Sequence, residues 1–240
     1  MSMIPNWQEF ASGQDLAEEL ADTVAHNLAE AISARGTALM GVSGGSTPPP
    51  FFRALSRRKL DWARVTVTLA DERFVPTDSE RSNARLVARH LLQNEAARAA
   101  FVNLYHACDS VEEAAGLADR AVGTLPLPFD VLVLGMGTDG HTASFFPDAE
   151  NLTELLTPAS GRYVLPVHAP GAGEPRLSLS MPVVRQARFM VLHIEGAKKK
   201  DVLEAALAQD AGPLLPVRVV LDHAATPAQI YWAPKEDRRT

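Results

Sequence analysis

Residues 129–134 read FDVLVL, an apolar run with no polar alternation after Asp130. A strand of that kind is buried on both faces. That places it in a parallel sheet with helices above and below, not in a half-solvated antiparallel one. Further strand-like runs occur at 37–42 (TALMGV), 64–70 (RVTVTLA), 101–105 (FVNLY) and 188–194 (RFMVLHI). The segments 217–221 (VRVVL) and 229–233 (QIYWA) read as late strands by the same β-branched and aromatic content.

Helical periodicity fills the intervals. Leu16, Leu20, Val24, Leu28 and Ile32 mark one face of a helix over 15–34, and Arg35-Gly36 supplies its stop. A helix is expected over 79–92. Ser110-Val111-Glu112-Glu113 is a capping box that opens another to about Val122, and 198–207 is helical with Val202, Leu203 and Ala206 inward. Leu125-Pro126-Leu127-Pro128 is a rigid connector. Strands alternating with helices imply right-handed βαβ units: an α/β, Rossmann-like fold whose mostly parallel sheet is covered by helices on both faces.

At 240 residues and 46% apolar content the chain has ample material for a core. No composition break, repeat or low-complexity stretch divides it, so a single domain over residues 1–240 is expected. The segment 169–174 (APGAGE) reads as a flexible loop within it. No apolar run approaches the ~18 residues that span a bilayer. The first residues lack the basic and apolar regions of a secretory signal. Cys108 is the single cysteine, which excludes an intrachain disulfide and fits a cytoplasmic protein. A net charge of −6 disfavours nucleic acid as a partner.

In open parallel sheets ligands bind beyond the carboxyl ends of the strands, so the residues just after each strand carry the functional information. Ser43-Gly44-Gly45-Ser46-Thr47-Pro48-Pro49-Pro50 follows the first strand. Its glycines allow close backbone approach. Ser46 or Thr47 can cap the next helix with Pro48 in its first position, and such a turn favours phosphate. The lysine and spacing of a Walker A loop are missing, as is G-x-G-x-x-G, so ATP and NAD are poorly supported.

Asp71-Glu72-Arg73 ends the second strand. Either acid can orient Arg73, whose guanidinium suits a phosphate or an oxyanion, and Arg81-Ser82-Asn83 adds polar groups at the next helix. Gly135-Met136-Gly137-Thr138-Asp139-Gly140-His141-Thr142-Ala143-Ser144 follows the central strand. There His141 can serve as a general base, and Asp139 either caps a helix or bonds the imidazole. Lys198-Lys199-Lys200 opens a helix against its dipole, so at least one of the three is expected to face a ligand. Arg176 is a weaker candidate. Cys108 and the other histidines are given no role. His193, inside a strand, reads as a satisfied core residue.

Taken in order, Gly44-Gly45-Ser46-Thr47-Pro48, Asp71-Glu72-Arg73 with Ser82-Asn83, Gly135-x-Gly137-x-Asp139-Gly140-His141-Thr142-Ala143-Ser144 and Gly196-x-x-Lys199 resemble the 6-phosphogluconolactonase family from about residue 10 to Trp232. The resemblance implies the fold of glucosamine-6-phosphate deaminase and ribose-5-phosphate isomerase. It also implies a metal-free, cofactor-free carboxylic ester hydrolase of the pentose phosphate pathway that opens a sugar-phosphate lactone. Carried over by motif, His141, Arg73 and Lys199 are catalytic. The expected binding set is Gly44, Gly45, Ser46, Thr47, Asp71, Arg73, Asn83, Gly137, Asp139, Gly140, Thr142, Arg176 and Lys199. The partner is then a small molecule, with no nucleic acid and no membrane, and the chain a monomer.

The chain departs from that family at Phe145, Asp148, Ser178 and Ser180, which are expected to reshape the pocket rim. A lactone is an activated ester, so water and a general base suffice, and no G-x-S-x-G elbow is present. Two rivals stand beside this reading. One is an amino-sugar-phosphate deaminase on the same fold, which usually shows His-Ile-Ala-Phe-Asn-Glu-Pro where this chain has His141-Thr142-Ala143-Ser144-Phe145-Phe146-Pro147. The other is a sugar-phosphate sensor, which would carry a DNA-binding region unlike anything here.

Overall fold

The computed structural model describes residues 5–158, 161–208 and 213–235. In chain order its elements begin with β1 (Asn6–Glu9), α1 (Gly13–Arg35), β2 (Ala38–Val42), α2 (Pro49–Leu55), β3 (Val65–Leu69), β4 (Asp71–Arg73) and α3 (Asn83–His90). Then come β5 (Ala100–Val102), α4 (Val111–Gly123), β6 (Val131–Leu134), α5 (Leu152–Leu156), β7 (Val164–Val167), β8 (Arg176–Leu179) and α6 (Met181–Val184). The last are β9 (Phe189–Glu195), α7 (Ala197–Ala208), α8 (Pro216–His223) and β10 (Gln229–Ala233).

Seven strands form one sheet in the order β1-β10-β9-β6-β2-β3-β5, with every neighbouring pair parallel. Its central strands β2 and β6 are buried at every residue, as the continuous apolar runs required. Helices flank it in the expected α/β manner. Ser12 caps α1 by accepting from the Asp15 N–H at 3.1 Å, and Gly36 closes it in the left-handed conformation (φ 83°) with its N–H on the Ile32 carbonyl. Leu16, Leu20, Val24 and Leu28 are fully buried along one stripe, each contributing about 1.5–3 kcal/mol relative to exposure. No helix among the described residues is long and apolar enough to cross a membrane.

Several features depart from the sequence reading, among them the edge strand β1, which that reading does not contain. Residues 217–221 are helix, not strand. Pro216 starts α8, Val217, Val220 and Leu221 are the buried positions, and Arg218 pairs with Asp222 at 2.7 Å. That i, i+3, i+4 burial is helical, and a five-residue β-branched run alone does not separate the two periods. The helix expected over 79–92 is only Asn83–His90, because Ser82 caps it from an extended conformation by accepting from the Arg85 N–H at 3.2 Å. A second sheet, β4-β8-β7, is antiparallel and was not foreseen. It lies beyond the end of β3, where Leu179 N–H bonds the Ala70 carbonyl at 3.0 Å, and it brings Arg73 and Arg176 directly opposite each other.

Candidate active site

A cavity of about 230 Å³ opens at the carboxyl ends of β2, β6 and β9. Gly44, Gly45, Ser46 and Thr47 line it after β2. A Cβ on Gly44 would fall 1.9 Å from Asn83 Oδ1, so only glycine lets the turn meet α3 there, and Gly45 sits at φ 100°. The capping expectation for Ser46 and Thr47 is not met. Pro48 is the N-cap of α2, no side chain caps that helix, and both hydroxyl residues face the cavity instead.

Asp71, Arg73 and Asn83 also line the cavity. The three charges of the strand end are separated by the strand's alternation. Asp71 Oδ2 accepts from Ser144 Oγ at 2.7 Å and lies 4.0 Å from Arg176 Nη1. Glu72 is fully buried on the other side. Its carboxylate accepts from the N–H groups of Arg73 (2.7 Å), Asn83 (2.8 Å) and Ala84 (2.7 Å) and from Ser82 Oγ (3.0 Å). Burial pushes the Glu72 carboxyl above its usual range, and those four bonds pull it back. Neither acid grips the Arg73 guanidinium, contrary to expectation. Glu72 holds the Arg73 backbone, the guanidinium donates to the Arg81 carbonyl, and Arg73 Nε has no partner among the described residues.

Arg176 is buried behind Arg73. It donates to the Ala172 carbonyl at 2.7 Å, lies 3.6 Å from Glu174, and stacks over Phe146 at 5.5 Å. Burial, opposed by Asp71 and then reinforced by Arg73, lowers its pKa. The loop over 169–174, expected to be flexible, is tied down. Pro170–Ala172 forms a 3-10 turn, the Gly171 N–H bonds Asp148 at 2.7 Å, and Glu174 pairs with Arg81. Asp148 therefore anchors this loop. Phe145, Ser178 and Ser180 are fully buried and off the cavity wall, so the expected reshaping of the rim does not come from them.

His141 stands on the glycine-rich turn after β6. Its Nδ1 is 2.6 Å from Asp139 Oδ1, which also accepts the His141 backbone N–H at 3.2 Å. Asp139 thus bonds the imidazole and does not cap a helix. A Cβ on Gly137 would lie 2.3 Å from the imidazole, so glycine at that position is what lets the ring fold back. Gly140 turns at φ 81°, and Ala143, also on the cavity wall, is held at φ 48°. Phe146 covers the ring at 4.2 Å between centroids. Gly137 and His141 line the cavity. Asp139, Gly140 and Thr142 do not: they shape the turn, Thr142 by donating from Oγ1 to the Gly135 carbonyl at 2.8 Å.

Of the three consecutive lysines, Lys199 lines the cavity. Burial lowers its pKa, Glu195 pulls it back up, and Lys235 pushes it down again. Lys200 instead bonds Glu9 at 2.6 Å and stacks over Trp232 at 4.3 Å, fastening β1. His193 is the residue the sequence reading misjudged. It lines the cavity at 3% exposure, with its Nε2 shut off from solvent and 3.7 Å from Glu195 Oε1. Its position in an apolar strand concealed this. A polar residue two places before the end of an apolar strand was the available signal. Ser43, Gly135 and Met136 also line the cavity unforeseen. No cluster of three or more His, Cys, Asp or Glu side chains suited to a metal occurs among the described residues.

Residues 11–232 match the family described as glucosamine-6-phosphate isomerases/6-phosphogluconolactonase. The chain belongs to this family. It is 55% identical over 229 residues to the 6-phosphogluconolactonase of Mesorhizobium japonicum, covering 95% of each chain. It is 47% identical over 227 residues to that of Pseudomonas aeruginosa, covering 95% of this chain and 94% of the relative. Among solved structures, the 6-phosphogluconolactonase from Shewanella baltica superposes with a TM-score of 0.92 at 39% identity, covering 96% of this chain and 99% of that one. The family's fold is thus the one the strand order describes.

Proposed function

We propose that the chain hydrolyses 6-phospho-D-glucono-1,5-lactone to 6-phospho-D-gluconate in the pentose phosphate pathway, with His141 as general base. The observation that carries the reading is the Asp139–His141 pair at 2.6 Å, set in a cavity that also holds Arg73, Arg176 and Lys199. Asp139 accepts only, so in the neutral imidazole the proton sits on Nδ1 and the Nε2 lone pair is left to act.

The steps follow from that tautomer. His141 Nε2 takes a proton from water as the water oxygen bonds to the lactone carbonyl carbon. The carbonyl electrons move to oxygen, and a cation on the cavity wall stabilises the oxyanion. Collapse breaks the bond to the ring oxygen, which takes the proton back from His141. Three cations suffice for a phosphate dianion and a transient oxyanion, and phosphate binding holds the ring in place for attack. Gly44, Gly45, Ser46 and Thr47 add the close backbone and hydroxyls of a phosphate turn, with Asn83 against Gly44 and Asp71 also lining the cavity. In the same reading residues 1–240 act as one domain and a cytoplasmic monomer.

A pair of assays tests the assignment. Purified protein is expected to hydrolyse freshly made lactone and to release no ammonia from glucosamine 6-phosphate. Ammonia release without lactone hydrolysis would replace the proposal with the deaminase reading.

A further inference from the structure

Three carboxylates accompany the facing pair Arg73 and Arg176: Asp71 and Glu72 on β4, and Glu174 just before β8. A carboxylate that paired with either guanidinium would occupy donors that a phosphate needs and cancel the charge that attracts it. Each of the three is engaged elsewhere. Glu72 accepts from three backbone N–H groups and from Ser82 Oγ. Glu174 pairs through Oε2 with Arg81, and its Oε1 stays 3.6 Å from Arg176 Nη2, which donates to the Ala172 carbonyl. Asp71 is the acid that lines the cavity. Ser144 Oγ donates to its Oδ2 at 2.7 Å, and Arg176 Nη1 stands 4.0 Å from the same oxygen.

Ser144 itself is fully buried and off the cavity wall, so it acts on a ligand only through Asp71. Its backbone N–H donates to Ser178 Oγ at 3.3 Å, and Ser178 lies directly opposite Asp71 in the β4–β8 pairing. Both donors of Ser144 therefore go to one rung of the small sheet, while its backbone continues the turn that carries His141. The main chain of Asp71 is fixed by the same pairing and by Asn83 Nδ2, which donates to its carbonyl at 2.9 Å. Its carboxylate is the part left to swing, and without the Ser144 hydroxyl the cation within reach is Arg176.

We propose that Ser144 is a positioning residue of the reaction: its hydroxyl holds the Asp71 carboxylate off Arg176 and leaves that cation free for the phosphate of the substrate. The inference rests on the lactonase reading above and deepens it.

The test is a double-mutant cycle read on two substrates. The wild type, Ser144→Ala, Asp71→Asn and the double variant are assayed on the phosphorylated lactone and on unphosphorylated gluconolactone. Ser144→Ala is expected to raise KM for the phosphorylated lactone about threefold, with kcat and the hydrolysis of gluconolactone little changed. In the Asp71→Asn background there is no carboxylate to release, and Ser144→Ala is expected to have no further effect on KM. The same rise in both backgrounds, equal losses on both substrates, or no change in any of them would overturn the inference. A crystal structure of the wild type with 6-phosphogluconate does not depend on the variants folding. There the Ser144–Asp71 bond is expected to persist with Arg176 on the phosphate. An Asp71–Arg176 hydrogen bond in that complex, or a phosphate out of reach of Arg176, would overturn the inference. A wild type that hydrolyses neither lactone would instead overturn the reading on which the inference stands.

Discussion

The two sheets contribute different chemistry to one cavity. The seven-stranded parallel sheet delivers His141, Lys199, His193 and the Gly44–Thr47 turn from the ends of β6, β9 and β2. The three-stranded antiparallel sheet delivers Arg73, Arg176 and Asp71 from its paired strands β4 and β8. In the large sheet every group but His193, which lies within β9, stands on a turn or helix just past a strand, as the parallel topology dictates. In the small sheet the groups sit within the strands, fixed by backbone pairing, and Glu72 staples that pairing to the start of α3. In the proposed mechanism the division is partial: the general base, the phosphate turn and Lys199 stand on the large sheet, and the other two cations on the small one.

The largest expected effect breaks the first half of that division. His141→Ala removes the only base that Asp139 orients, and kcat should fall about 10³-fold with little change in KM. Stopped-flow pH-indicator kinetics would check it. Full activity in the variant would end the general-base assignment.

Arg176→Ala probes the second half. It should raise KM for the phosphorylated lactone about tenfold while leaving hydrolysis of unphosphorylated gluconolactone nearly unchanged. Equal damage to both substrates would place Arg176 at the carbonyl and blur the division.

A smaller effect concerns the staple. Glu72→Gln replaces one of two accepting oxygens with a donor that faces N–H groups, and should cost about 2 kcal/mol of stability, read from the urea midpoint. The α3 N-terminus at Asn83 and the Arg73 strand end should loosen together in hydrogen exchange.

The smallest effect is a pH dependence. His193 has a lowered pKa in the folded state, so below the ordinary histidine value of about 6.5 the unfolded chain binds a proton that the folded one refuses. Its contribution is present above that pH and lost as pH falls, by at most about 1.4 kcal/mol per pH unit. His90 is shifted the same way, so the comparison is made against His193→Gln, whose stability should decline less steeply from pH 7 to pH 5.

The large sheet was legible in the sequence because its signals are local. A buried parallel strand is a continuous apolar run, as in residues 131–134, and the stop at Gly36 and the cap at Ser110 are single-residue signatures, whereas the short polar edge strand β1 carries no such signal. The small sheet was not legible. Asp71–Arg73 is three charged residues, and its strand character comes only from pairing with Arg176–Leu179 about a hundred positions away. The same limit applied to the site. Glycine turns and His141 announce themselves by local composition. That Arg73 is held by Arg81 and Glu72 is a tertiary fact with no local trace.

The most direct test of the whole account is the initial rate of hydrolysis of fresh 6-phospho-D-glucono-1,5-lactone in EDTA, with and without the purified protein. The account predicts a rate far above the spontaneous opening, undiminished by the chelator. A rate equal to buffer alone would contradict it.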